Sequence, residues 1–370
     1  MIMLVLSMHA AVTYSGLGGW YYKEGPQPGK PELVVFATYQ AFLQSFFMGL
    51  LFFIAGYFVP GAYDRKGARR FLRDRAFRLG WPSLLYIFVI GPLTEFYVAR
   101  SWAGDSPDRS FVQEYGHYIT GLRFPGGSGP LWFCVALLIF CCVYAGWRTL
   151  TVRRTKSNTS TGTPRPFPGT GTITVFILSI ATASFLVRIP WPNGTDFYNM
   201  QFCDFSQYIA FFIAGTLAYR CSWLTTLPDA TGNRWGFFGR IGGPVCWFAL
   251  LIGGGALQGH AGDLSGGMHW QSMGMCLWEA MVGTALSIWI IALFRKRFNG
   301  QGRWARFFSD NAFAVYVFHP PMLISITLGM SGVPAPALLK FLLATVLSII
   351  VSFAVAALVI RRIPVLKRIV

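Results

Sequence analysis

Three side chains able to exchange protons lie inside long apolar runs: His9 in MIMLVLSMH, Glu279 in CLWE and His319 in VYVFHPP. A charge at the middle of a bilayer costs on the order of 2.5–3.5 kcal/mol even on insertion scales, so each position is a candidate functional site. An uncharged imidazole at His9 accepts a proton from a hydroxyl, which is the work of a general base. The same histidine could instead bond a neighbouring helix for packing alone. His319 precedes Pro320 and Pro321, which interrupt the helical ladder and free backbone carbonyls. It is either a chemical group or a kink histidine that bonds a freed carbonyl. Glu279 either orients a histidine or pairs with an arginine.

A second type of chemistry is suggested by the densest run of positive charge, Arg65 to Arg78. Arg75 and Arg78 stand three apart, on one face of a helix at the cytoplasmic mouth of a span. Paired guanidinium groups suit phosphates, and a phosphate-rich acyl carrier such as coenzyme A would fit there. The competing reading is a topology anchor on anionic lipid. His260 and His269 flank Asp263 in a Gly-rich segment, but their spacing matches no metal site and reads as a solvated loop. The seven cysteines form no CxxC pair, so neither a zinc site nor a disulfide framework is expected, and no metal is called for.

The elements that must position these groups follow from composition. Hydrophobic residues make up 54% of the 370 and charged residues 12%, which places much of the surface in lipid rather than water. The net charge of +17 would suggest nucleic acid in a soluble protein. Here the basic residues fall between apolar segments, which points to loops against anionic headgroups and to no nucleic-acid partner. A span needs about 20 apolar residues. Ten segments qualify: Met1–Gly18, Thr38–Val59, Leu79–Val98, Pro130–Leu150, Thr172–Ile189, Asp204–Tyr219, Ile241–Leu257, Met273–Phe294, Asn311–Met330 and Ala335–Ile360. The N-terminal run has no basic segment ahead of it and no convincing cleavage site, and reads as the first span.

With the N-terminus inside, the segments Gly61–Arg78, Arg148–Gly171, Arg220–Arg240, Arg295–Asp310 and Arg361–Val370 are cytoplasmic. They hold seven, five, three, five and four lysines and arginines, 24 of the 31. That asymmetry predicts an all-α, polytopic membrane bundle of about ten transmembrane helices with both termini cytoplasmic, as one domain over 1–370 in an inner membrane. The longest outer loop, Ala99–Gly129, carries Asp105, Asp108, Glu114 and His117. Thr155–Gly171 is rich in Ser, Thr, Pro and Gly and reads as a mobile linker. Trp102, Tyr115, Trp191, Tyr198 and Trp270 offer faces for a sugar ring, or serve as an ordinary interfacial belt.

In order along the chain, the short apolar run ending in His9 is followed by FFMGLLFFIAGYF (46–58) and RAFRLGWP (75–82). Then come GPLWF (129–133), FFIAG (211–215) and YVFHP (316–320). This succession resembles the acyltransferase-3 family of membrane acyltransferases, and RxxRxGxP looks most similar to its glucan biosynthesis protein C branch. The resemblance covers nearly the whole chain. It implies transfer of an acyl group from acyl-CoA, taken from the cytoplasm, to a hydroxyl of a glycan or similar acceptor. His9 then matches the family's catalytic histidine, Arg75 and Arg78 its donor-handling basic motif, and His319 a recurrent histidine. The family also carries an arginine at the start of its first span, a position that would precede Met1.

The mechanism so implied has acyl-CoA docked near Arg75 and Arg78. His9, oriented by a polar partner such as Glu279, takes the acceptor proton or is itself transiently acylated. A glycan or lipid-precursor transporter is the alternative, because mid-membrane His and Glu with broken helices also mark proton-coupled carriers. Carriers usually show internal repeats, and none is visible. A third reading is a non-catalytic scaffold in an envelope-polymer assembly.

Overall fold

The computed structural model describes residues 1–102, 110–152 and 164–369. Asp105 and Asp108 of the outer loop, and the first part of the linker Thr155–Gly171, lie outside the described residues. Among the described residues there are helices, turns and one isolated bridge between Phe197 and Met200. Helices α1 (Ile2–Ser15) and α2 (Lys30–Arg75) lead into a π turn (Ala76–Gly80), α3 (Trp81–Leu85), a second π turn (Tyr86–Ile90) and α4 (Gly91–Trp102). Next come α5 (Phe111–Thr120), α6 (Trp132–Val152), α7 (Thr170–Arg188), α8 (Phe202–Arg220) and α9 (Trp223–Thr226). Helix α10 (Asp229–Phe237) runs through a third π turn into α11 (Gly243–Gly253), followed by α12 (Trp270–Arg297), α13 (Arg303–Gly329), α14 (Ala337–Leu358) and α15 (Pro364–Ile369).

Helix occupies each of the ten predicted segments, and the protein is an all-α, multi-pass membrane bundle. Among the described residues, seven helical stretches are long and apolar enough to cross a bilayer, the first being Lys30–Ser101. That stretch holds two predicted spans, and Gly67, at φ 71° and ψ 165°, breaks it between them. Only a residue without Cβ adopts that conformation cheaply. Two predicted spans are not among the seven. Helix α1 has 14 residues, about 21 Å, and α8 carries Asp204, Gln207 and Arg220.

Lipid-facing and inward-facing residues divide α14 cleanly. Leu342, Val346 and Ile350 are exposed at i, i+4 and i+8, whereas Ala344, Ser348, Ser352 and Ala356 are buried. Small residues face the bundle because close packing, not water exclusion, holds helices together in lipid. Helices α2 and α8 cross backbone to backbone. A Cβ on Gly215 would collide with the Phe53 carbonyl oxygen, and one on Gly56 with the Phe212 carbonyl oxygen. Backbone atoms have no rotamer into which to retreat. Gly215→Ala is therefore expected to cost at least about 1–3 kcal/mol, read as a fall in thermal midpoint. An unchanged midpoint would mean that the helices do not cross this closely.

Helix α1 ends early because Gly16 takes the left-handed conformation (φ 72°) and its N–H caps the Val12 carbonyl. The chain then folds back on the helix: the Glu24 N–H donates to the Thr13 carbonyl at 2.9 Å. Tyr22 is buried in this return. The Glu24 carboxylate meets the Lys340 ammonium of α14 at 2.5 Å, and Lys340 is 5% exposed. Tyr21 and Tyr86 share a hydroxyl–hydroxyl hydrogen bond of 2.9 Å, joining the return to the second π turn.

Candidate active site

His9, near the middle of α1, and His319, near the middle of α13, are brought together. Their ring centroids lie 5.5 Å apart with planes 16° from parallel. The local sequence explains how His319 is set. Pro320 has no N–H, so the carbonyl four residues earlier, that of Tyr316, loses its helical donor. His319 Nδ1 lies 2.8 Å from that oxygen. A carbonyl only accepts, so Nδ1 carries the hydrogen and Nε2 presents a lone pair. The kink bond and the chemical reading are thus compatible, because the bond fixes the tautomer that a base requires. His319 is fully buried, and its Nε2 has no hydrogen-bond partner among the described residues.

A third ring joins the two. Trp20, on the return segment, lies 3.9 Å from His9 at 15° and 6.3 Å from His319 at 9°. Its Nε1 and the Nδ1 of His9 are likewise buried without a protein partner. Three unpaired ring nitrogens on near-parallel planes give this locus one donor-only group and two imidazoles able to accept or donate. Sequence reasoning missed Trp20, which sits in a connecting segment that no periodicity marks as part of the bundle.

Glu279 lies elsewhere in the network of contacts. Of its two expected roles, the geometry supplies the arginine pair: Oε2 is 2.5 Å from Arg188 Nη2. The same nitrogen lies 3.2 Å from Asp204 Oδ1, and Arg188 is 1% exposed. Gln44 Nε2 and the Tyr208 hydroxyl donate to Asp204 Oδ2 at 2.9 and 3.3 Å. Helices α2, α7, α8 and α12 are thereby tied at one buried ion triad. One turn before Gln44, the Gln40 amide donates to Ser15 Oγ at 3.1 Å, which carries the polar link to α1. Arg188 and Asp204 sit in the last and first turns of their helices. Read from sequence, such positions belong to the water interface, and only the tertiary pairing shows them buried.

Arg75 ends α2 with its guanidinium 5.4 Å from the Phe71 ring centre, and Arg78 lies exposed in the first π turn. Neither lines the open basic groove beside the Gly67 break. That groove, of about 700 Å³, is formed by Lys66, Gly67, Ala68, Arg69, Arg70 and Arg73. Lys66 bonds Asp74 at 2.6 Å and holds its carboxyl below the usual carboxylate range. At the other end of the bundle, a 180 Å³ cavity between α4 and α5 includes Glu95, Phe96, Tyr115, Tyr118 and Arg123. Tyr118 and Tyr115 donate to the Ile87 and Phe88 carbonyls at 2.8 and 3.1 Å, within the second π turn. Trp191, Tyr198 and Trp270 stand exposed. His260 Nδ1 and His269 Nε2 lie 3.3 and 4.0 Å from Asp263. Among the described residues, no group of three or more His, Cys, Asp or Glu could hold a metal ion.

Residues 1–357 match the sequence model of the acyltransferase-3 family, described as an acyltransferase domain. No match was found among curated proteins or among solved structures.

Proposed function

The chain belongs to the acyltransferase-3 family and is a membrane acyltransferase, and on that premise we propose that it moves an acyl group from an acyl-CoA-type donor to a hydroxyl of a carbohydrate acceptor. The observation that carries this reading is the paired imidazoles of half-buried His9 and fully buried His319, with His319 Nδ1 bound to the Tyr316 carbonyl at 2.8 Å. A base whose far nitrogen is held by a fixed acceptor is oriented for proton transfer.

The acceptor oxygen attacks the thioester carbonyl while the imidazole pair removes the hydroxyl proton. The C=O π bond opens to an oxyanion. Collapse re-forms the carbonyl, expels the thiolate and returns the proton to sulfur, leaving an ester and a free thiol. One proton at a time passes through the pair. Two imidazolium charges 5.5 Å apart would repel by about 3 kcal/mol at an effective dielectric of 20. Donor phosphates bind the cytoplasmic basic segment, where the groove from Lys66 to Arg73 adjoins Arg75 and Arg78. The protein acts as one domain in the inner membrane, with Glu279 holding Arg188 in the scaffold.

The test uses purified full-length protein in lipid nanodiscs, acetyl-CoA labelled in the acyl group and a glucan oligosaccharide. Label is expected on the oligosaccharide as an alkali-labile ester, with one thiol released per ester formed. Alkali-stable label would indicate N-acylation. Thiol release at the same rate without the oligosaccharide would indicate thioester hydrolysis. Either result overturns the proposal.

A further inference from the structure

Resting on the acyl-transfer reading above, we propose that Trp20 is a catalytic residue whose indole N–H donates to the oxyanion of the tetrahedral intermediate. Acyl transfer through an oxyanion gains most from a fixed donor aimed at the charge that develops. The two imidazoles are committed to the proton. Arg188, a buried arginine, places Nη2 on Asp204 and Glu279, so its ion pairs run to α8 and α12 and not to the ring cluster, although its Nε and Nη1 carry no hydrogen bond among the described residues. The basic groove adjoins the donor phosphates rather than the histidines. Trp20 Nε1 is buried, carries a hydrogen and bonds no protein group, on a ring 3.9 Å from His9. An indole N–H neither accepts nor titrates, so it remains a donor whichever imidazole holds the proton.

The spacing suits the chemistry. The attacking oxygen and the carbonyl oxygen both bond the same carbon, so base and oxyanion donor must serve one locus. The near-parallel rings of Trp20 and His9, 3.9 Å between centroids, bring the two groups to one place. Trp20 is also held in place. On one side is the Gly16 cap, and on the other the Tyr21–Tyr86 hydrogen bond, buried Tyr22 and the Glu24–Lys340 ion pair. Donors fixed before reaction need no reorganisation as the charge forms. When the carbonyl opens, its electron pair moves to oxygen and the Nε1 hydrogen bond shortens onto it. When it re-forms, the thiolate departs and the N–H stays with nitrogen.

Two variants separate the N–H from the ring. Trp20→Phe keeps an aromatic ring over His9 and loses the donor. Trp20→3-benzothienylalanine, introduced by an expanded code, keeps the bicyclic shape and replaces N–H with sulfur. In both, kcat for ester formation is expected to fall roughly 10²–10³-fold. The KM for acetyl-CoA, the thermal midpoint and the limbs of the pH–rate profile are expected to stay near wild type. A benzothienylalanine variant within about threefold of wild type removes the proposal while leaving the acyl-transfer reading intact. So does a loss recovered by changing pH, because Trp20 would then act on His9. Wild-type protein that forms no ester removes both.

Discussion

His319→Asn is expected to lower kcat for ester formation by roughly 10²–10⁴-fold, the range for loss of a positioned base, with little change in the KM for the donor. Asparagine is the informative replacement. Its amide nitrogen stands the same number of bonds from Cβ as Nδ1 and can still donate to the Tyr316 carbonyl freed by Pro320, so the α13 kink keeps its hydrogen bond and only the proton acceptor is lost. A kink histidine would tolerate this change. His9→Gln is expected to fall in the same range. The double variant is expected to be no slower than the slower single one, because residues acting on one proton as a unit lose their contribution once. Two independent multiplied losses would mean that the imidazoles 5.5 Å apart serve separate steps. An active His319→Asn protein would take His319 out of the chemistry.

The parts of the architecture that repeat were legible in the sequence. Ten apolar segments of span length became ten helical segments because a buried backbone in lipid has few other ways to pair its N–H and C=O groups. His9 and His319 stood out by the same logic, as polar groups where the solvent is hydrocarbon. Three features had no periodic signal. The return of residues 16–29 onto α1 depends on Gly16 and on Glu24 meeting Lys340, 316 residues later. The run from α3 to α4 reads as one apolar helix, yet its second π turn opens carbonyls that Tyr115 and Tyr118 close from α5. Arg188 and Asp204 each lie at a helix end, where charge is ordinary, and their depth is a property of how four helices pack. Local pattern identifies a helix, whereas which end sinks is decided by its neighbours.

That depth leads to the largest expected effect on stability. Arg188→Met leaves Asp204 and Glu279 facing each other without the cation between them, with Arg188 itself only 1% exposed. Breaking a buried pair by removing one partner costs about 3–5 kcal/mol, a large share of the 5–15 kcal/mol that holds a typical domain together. Asp204 retains the Gln44 and Tyr208 donors, so Glu279 bears most of the loss. The expected result is protein that expresses poorly or melts far below wild type in the same lipid. Adding Asp204→Asn and Glu279→Gln to Arg188→Met removes the charges together, and should recover most of the midpoint because amides need only hydrogen bonds in that place. A single Arg188→Met protein as stable as wild type would show that the triad is not a buried charge cluster. The neutral triple variant then separates scaffold from chemistry. Folded and still forming ester, it confines Glu279 to holding α7 against α12. Folded but inactive, it returns the charged triad to the reaction.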